Sequence, residues 1–278
     1  MVLGLAAALT AAGLYGVAAV LQAAGARRVD RASGLDPRLL LRILRQPTAV
    51  GALGLMLVGF LLHLLSVRLV PLFLAQAGIA VSLVVTALLA VVRFGERLSR
   101  VEWLAVGAVF AGLVLLSASA GDVGGSAAGR IPLVLFAAIA VIAALGWGAT
   151  RSRGPLGTAA LGLLAGFGYA IVGISARLLP DFQPAHLLSC VATYTLGAGG
   201  SLAFLLYSVA LQRGAVTLAT TPMIVTQTVT PAAVGVLLLG DGVRAGWQLP
   251  AGIGFVVTVV AASVLVRFEG AQQAHPSS

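Results

Sequence analysis

Residues Leu65 to Ser119 read LSVRLV-PLFLAQAGIAVSLVVTALLAVV-RFGERLSR-VEWLAVGAVFAGLVLLSAS. An apolar helix, a short charged link and a second apolar helix follow one another. The pattern returns from Tyr207 as YSVALQRGAV-TLATTPMIVTQTVTPAAVGVLLLG-DGVRAGW-QLPAGIGFVVTVVAAS. At an offset of 145, Arg68 falls on Arg213, Gly95 on Gly240, Glu96 on Asp241 and Gly107 on Gly252. Trp103 and Trp247 each lie early in the following helix, one position out of register. A helix pair of this size that occurs twice predicts two related halves.

Composition sets the solvent. The 278 residues are 60% hydrophobic and 9% charged, with mean hydropathy +1.07. A soluble domain is nearer about 25% charged. Several apolar stretches reach the roughly 18 residues that mark a transmembrane helix, so the chain reads as an all-α, polytopic membrane protein. Too little sequence is left over for a sizeable soluble domain. The net charge of +9 sits between the apolar stretches, which makes it a topology signal and excludes nucleic acid as a partner. Cys190 is the only cysteine, so an intrachain disulfide and a multi-cysteine metal site are both excluded. The basic residues are all Arg.

Nine spans are expected: Val2 to Ala23, Ala49 to Val67, Pro71 to Val92, Val101 to Ser119, Ile131 to Ala149, Leu156 to Leu179, Ala185 to Leu211, Ala215 to Leu239 and Trp247 to Val266. The first lacks a basic leader, so it reads as a span and not as a cleaved signal peptide. The longest loop, Ala24 to Pro47, carries Arg27, Arg28, Arg31, Arg38, Arg42 and Arg45. Within it, Pro37 to Arg45 reads either as an interfacial helix or as a solvated basic loop. Gly197, Gly199 and Gly200 are expected to weaken and bend the seventh span. Arg267 to Ser278 reads as a disordered polar tail. The organisation is then a first repeat over 1–120, a linking helix over 121–154, a second repeat over 155–267 and a tail over 268–278.

Counting arginines orients the chain. With the first long loop inside, the inner regions hold 13 Arg and the outer side holds Arg68, Arg130, Arg177 and Arg244. By the positive-inside rule the N-terminus lies outside and the C-terminus inside. The four-helix halves then enter the bilayer from opposite sides, an inverted repeat that suits alternating access.

The eighth expected span carries the most chemical information. At 100° per residue, Thr217, Thr220, Thr221, Ile224, Gln227, Thr228 and Pro231 form one stripe about 120° wide. Hydroxyls and amides in hydrocarbon need partners, so this stripe should face the bundle interior or an aqueous cavity. Interhelical hydrogen bonding without a ligand is the competing reading. Pro222 and Pro231 each free a carbonyl one turn earlier; for Pro231 it belongs to Gln227. The offset carries Thr221, Gln227 and Pro231 onto Gln76, Ser82 and Thr86 of the third span. Tyr15 and Tyr169 sit in Leu14-Tyr15-Gly16 and Gly168-Tyr169-Ala170, which look like repeat equivalents. Each is read as lining the cavity, with interface anchoring as the alternative. Gln22, Ser175, Thr193, Tyr194, Ser201 and Tyr207 add further polar groups. Gly162 and Gly166 form a small-xxx-small pair for close helix contact. Cys190 reads as a small buried hydrophobe.

His63 reads as a neutral, hydrogen-bonded histidine, with proton coupling as the alternative. Arg177 reads as a snorkelling interfacial residue, with attraction of an anionic solute as the alternative. None of the eight acidic residues lies well inside a span. That weakens an acid-driven proton antiporter and a dehydrated Mg²⁺ site. No nucleophile, base and metal cluster converges, so no enzyme activity and no cofactor is expected.

With Phe94-Gly95-Glu96-Arg97-Leu98 leading into a Gly-rich helix, and Gly240-Asp241 as its counterpart, the chain resembles the EamA-like drug/metabolite transporter superfamily. It looks most like the nine-helix NIPA-like magnesium transporter branch, over essentially Leu3 to Val266. The resemblance implies secondary transport or facilitated Mg²⁺ passage. It also implies that the Gly-Glu motif caps a helix and pairs with a nearby Arg. The expected function is transport of a small solute or ion by alternating access. A magnesium or divalent-cation transporter and a non-transporting membrane scaffold are the alternatives. Expected partners are a small solute or cation and the lipid bilayer, with homodimerisation left open. The expected location is the plasma (inner) membrane, as a multi-pass protein.

Overall fold

The computed structural model describes residues 1–26, 47–94, 99–125, 129–152, 154–179, 183–213 and 216–274. Eleven helices are described: α1 Val2–Ala26, α2 Pro47–Leu69, α3 Leu72–Ile79, α4 Val81–Phe94, α5 Arg100–Ser119, α6 Ile131–Ala149, α7 Pro155–Leu178, α8 Pro184–Ser189, α9 Val191–Arg213, α10 Val216–Leu238 and α11 Gln248–Ala274. Among the described residues the only β-pairing is one antiparallel bridge between Ala120 and Val243. Helix is what an apolar chain adopts in lipid, because it satisfies its own backbone. Six of the helices are long and apolar enough to cross a membrane, and three shorter apolar segments, Val2–Ala18, Leu72–Val85 and Trp103–Ser119, accompany them. The fold is therefore of the multi-span, all-α membrane type. Leu57, Leu61, Val114, Leu133, Trp147, Leu237 and Val256 point outward and exposed, as an apolar solvent allows.

Contact register fixes how the helices run. α1 is antiparallel to α2, with Gly4 against Leu69 and Val70, and the Tyr15 ring over Gly59. α1 is parallel to α3 and α4, with Ala8 against Gly78, and Gly16 against Ser82 and Val85. α7 keeps the same company. It is antiparallel to α9, with Gly168 against Ala203, and the Ser175 and Thr195 hydroxyls 2.7 Å apart. It is parallel to α10, with Gly162 on the Ala219 backbone and Gly166 on Met223. A side chain at Gly162 would occupy the space of the Ala219 carbonyl, so the small residue sets the α7–α10 separation. α5 and α11 pair antiparallel, with Gly112 against Gly254 and Thr258. α6 leans on α7 and α9.

One span expected to be continuous is broken, and another tightens without breaking. The third, α3 and α4, tightens at Ala80, which keeps helical angles (φ −59, ψ −25) while hydrogen bonds pass to three-residue spacing: Ala80 N–H to Ala77 O at 3.1 Å and Leu83 N–H to Ala80 O at 3.2 Å. Gly78, a poor helix former, precedes this turn and admits Ala8 of α1. The seventh parts at Cys190, which is extended (φ −87, ψ 123) between α8 and α9. Carbonyls released there are taken up by hydroxyls: Thr193 donates to Leu187 O and Tyr194 to Leu188 O, both at 2.7 Å. The bend expected at Gly197 to Gly200 does not interrupt α9, because Gly199 and Gly200 pack against Ile171 and Val172 of α7. α11 runs on to Ala274, past the residue where the polar tail was expected to begin. The long basic loop, the 37–45 segment, the Gly95-Glu96-Arg97 link and Pro180-Asp181 lie outside the described residues.

Candidate functional site

One face of α10 meets a different partner at each turn, and its contacts trace an axis through the bundle. Near its N-terminal end, Thr220 is buried and its hydroxyl lies 2.7 Å from Tyr207 Oη of α9. The Thr221 hydroxyl beside it is buried with no hydrogen-bond partner among the described residues. The Tyr15 ring of α1 packs on Gly59 of α2. Tyr15, Tyr169 and Tyr207 are partly buried.

One to two turns further along α10 is a small cleft lined by Ile79, Ala80, Ser82, Leu83, Ile224, Gln227 and Thr228. It has room for about one water molecule. The tightened turn at Ala80 forms one wall of this cleft, whose lining is apolar apart from Ser82, Gln227 and Thr228. The offset of 145 carries Ile79 onto Ile224, Ser82 onto Gln227 and Leu83 onto Thr228. Corresponding positions therefore face one another across an antiparallel crossing. Thr228 donates to Ile224 O and Thr226 to Pro222 O, both at 2.7 Å, which anchors these side chains to their own helix. The carbonyl of Gln227 has no helical N–H partner at Pro231.

Beyond the cleft, Gln76 is buried, with its amide nitrogen against Gly173 of α7 and beside Pro231 of α10. Above it the axis ends in a closed cap. Asp241 accepts from the Leu72 N–H at 2.6 Å and from the Gly124 N–H at 2.9 Å. The first acceptance caps the N-terminus of α3, where a carboxylate also meets the positive end of the helix dipole. Arg177 Nη2 donates to Asp241 Oδ1 at 2.7 Å and to Gly124 O at 3.1 Å, and Nη1 donates to the carbonyls of Val67 and Val70. Arg68 reaches Leu179 O at 2.9 Å. Backbone bonds complete the cap: Gly121 to Gly242, Gly242 to Asp122 and Arg244 to Ser119. Gly240, with φ +75, turns the chain so that Asp241 points inward.

Arg177 is thus neither a snorkelling residue nor an open anion attractor. Its guanidinium is buried and saturated by a carboxylate and backbone carbonyls, as a charge in a low-dielectric interior must be. Asp241 sits at a helix end in the sequence yet is buried in the fold. The sequence signal was present in Gly240-Asp241, but nothing local named Arg177 as the partner.

Ser82, Gln227 and Thr228 share the cleft; Thr220 and Thr221 lie one to two turns before it on α10; Gln76 lies between cleft and cap; Tyr15 and Tyr169 are partly buried and are not part of the cleft lining. The side chains of Thr86, Thr217 and Gln22 fall outside the description. Ser175 is spent on Thr195, and Thr193 and Tyr194 serve the helix break, so these three do not line the axis. Ser201 is exposed, and Cys190 is only partly buried. His63 is buried, but among the described residues neither ring nitrogen has a hydrogen-bond partner, unlike the bonded histidine expected. Among the described residues no group of three or more His, Cys, Asp and Glu is placed to hold a metal. The arrangement offers amide, hydroxyl, phenol and carbonyl groups along one line, closed at the Asp241 end. Comparison of the chain with protein-family models, with curated proteins and with solved structures finds no match in any of the three.

Proposed function

We propose that the protein carries a small solute across the plasma (inner) membrane by alternating access, using the axis along α10 as its path. The observation that carries this reading is the cleft where the α3–α4 span crosses α10 antiparallel, with corresponding residues on its two walls. A site near mid-membrane at the interface of two inverted halves is a recurrent way to build a transporter. The matching neighbours of α1 and α7, and the antiparallel α5–α11 pair, support the inverted repeat. In this reading the N-terminus is outside, the Asp241 cap is the closed outer gate, and the end of α10 at Thr220 and Tyr207 leads inward. The resemblance to EamA-like transporters is proposed on the same grounds.

Purified protein in liposomes, offered a panel of metabolites and of monovalent and divalent cations including Mg²⁺, tests it. Protein-dependent flux should appear for at least one solute and fall about tenfold in Gln227→Ala or Gln76→Ala, the loss of one or two hydrogen bonds to the solute. Silence across the panel from well-folded protein favours a scaffold instead.

A further inference from the structure

We infer that the end of α6 holds an anionic phospholipid, with its phosphate on Arg151 and Arg213 and an acyl chain along the exposed face of α6. The inference goes beyond the transport reading and does not require it. Only 22% of the α6 span is buried, the least of the six long apolar helices. Leu133, Phe136, Ala140, Ala143 and Trp147 recur at helical spacing and form one exposed face along its length. In a bilayer, hydrocarbon chains lie on such a face. An exposed tryptophan at its end marks the level where hydrocarbon gives way to head groups.

Two cations are fixed at that level. The Arg151 guanidinium lies 5.6 Å from the centre of the Trp147 ring, within cation–π range. Arg213, the last residue of α9, donates through Nη1 to the Thr150 carbonyl. The Thr150 hydroxyl donates to Trp147 O at 2.7 Å, and the carbonyls of Gly146, Gly148 and Ala149 take the N–H groups of Thr150, Arg151 and Ser152. The carbonyls that end α6 are therefore satisfied, and both guanidiniums stand at the negative end of its dipole. Each guanidinium has five N–H donors, so most remain for a ligand. Among the described residues neither arginine has a carboxylate partner. Trp147, Arg151, Ser152 and Arg213 are all exposed. A phosphodiester supplies acceptor oxygens that suit the guanidinium fork. Free phosphate would meet the same arginines but leave the apolar face below them unused, so the lipid fits more of the corner. This end of the bundle is opposite the Asp241 cap, which places the head group in the inner leaflet on the orientation read from the arginines.

Native mass spectrometry of the full-length protein in detergent tests it, with phosphatidylglycerol and phosphatidylcholine of matched acyl chains as the probes. The parent should bind one phosphatidylglycerol about tenfold more tightly than phosphatidylcholine. Arg151→Gln and Arg213→Gln should each weaken that binding about fivefold, and the double variant should remove the preference, in line with one head-group contact for each charge. Two controls keep a general charge effect apart. Arg100→Gln removes an exposed arginine at the same end of the bundle, and Arg244→Gln removes the guanidinium 5.9 Å from Trp247 at the other end. Both should bind phosphatidylglycerol within about twofold of the parent. Glycerol 1-phosphate and inorganic phosphate should not displace the lipid. Each variant must elute as one monodisperse peak with the parent's Tm, so that a folding defect is not scored as a binding defect; the comparison of the two lipids on the parent needs no variant. Equal binding of the two lipids overturns the inference, as does an equal loss in Arg100→Gln or Arg244→Gln. Displacement by glycerol 1-phosphate or phosphate also overturns it, and assigns the two arginines to a soluble anion.

Discussion

Arg177 Nη2 lies 2.7 Å from Asp241 Oδ1, with both side chains buried and the two residues 64 positions apart in the chain. The pair joins the end of α7 to the link before α11, and through Leu72 and Val67 it also holds the α2–α3 turn. Breaking a buried pair by removing one partner strands a charge and costs about 3–5 kcal/mol. Arg177→Ala and Asp241→Ala should each lower the Tm in detergent by several degrees. The double variant should lose less than the sum of the two, because neither charge is then left alone.

If this cap is the outer gate, weakening it exposes the axis behind it. In a Cys190→Ala background, Gln76→Cys should resist a membrane-impermeant maleimide applied from outside, since Gln76 is buried beneath the cap. Adding Asp241→Asn should make it reactive. Equal labelling with and without that change would place the gate elsewhere.

The arginine bias assigns the two faces of the bundle. Asp122→Cys and Ala245→Cys occupy exposed positions in the links at the Asp241 end. Ser99→Cys and Ser152→Cys are exposed at the other end. In intact cells the first two should label from outside and the second two only after permeabilisation. The reverse pattern would invert the orientation read from the positive-inside rule.

Two glycines on α7 should behave differently when given a methyl group. At Gly162 the methyl meets the backbone of Ala219, which cannot yield without moving α10, so Gly162→Ala should cost about 1–3 kcal/mol. At Gly173 the close contact is with the amide end of Gln76, which can swing aside, while Pro231 Cγ lies at ordinary contact distance. Gly173→Ala should therefore keep a Tm near that of the parent and lower flux through displacement of Gln76.

His63 is buried, with both ring nitrogens unpartnered among the described residues. A buried polar group left without a partner costs about 1–3 kcal/mol. His63→Leu should raise the Tm, and transport should survive if the imidazole takes no part in coupling. Loss of flux with the raised Tm would assign His63 to a proton step.

Amino-acid order by itself determined most of the helices. Ile131–Ala149 and the ends of α7 follow from unbroken apolar runs with charge or proline at their edges, because lipid leaves such a run no state but helix. The polar stripe of α10 was legible for the same reason: hydroxyls spaced at helical period cannot all face hydrocarbon. Only the tertiary structure decided that the third span tightens at Ala80, since Gly78 alone does not distinguish a tightened turn from a packing contact. It also decided that Arg177 and Asp241 belong together. Their pairing depends on where five separate segments end in space, and burial turns two apparently peripheral charges into the closed end of the axis.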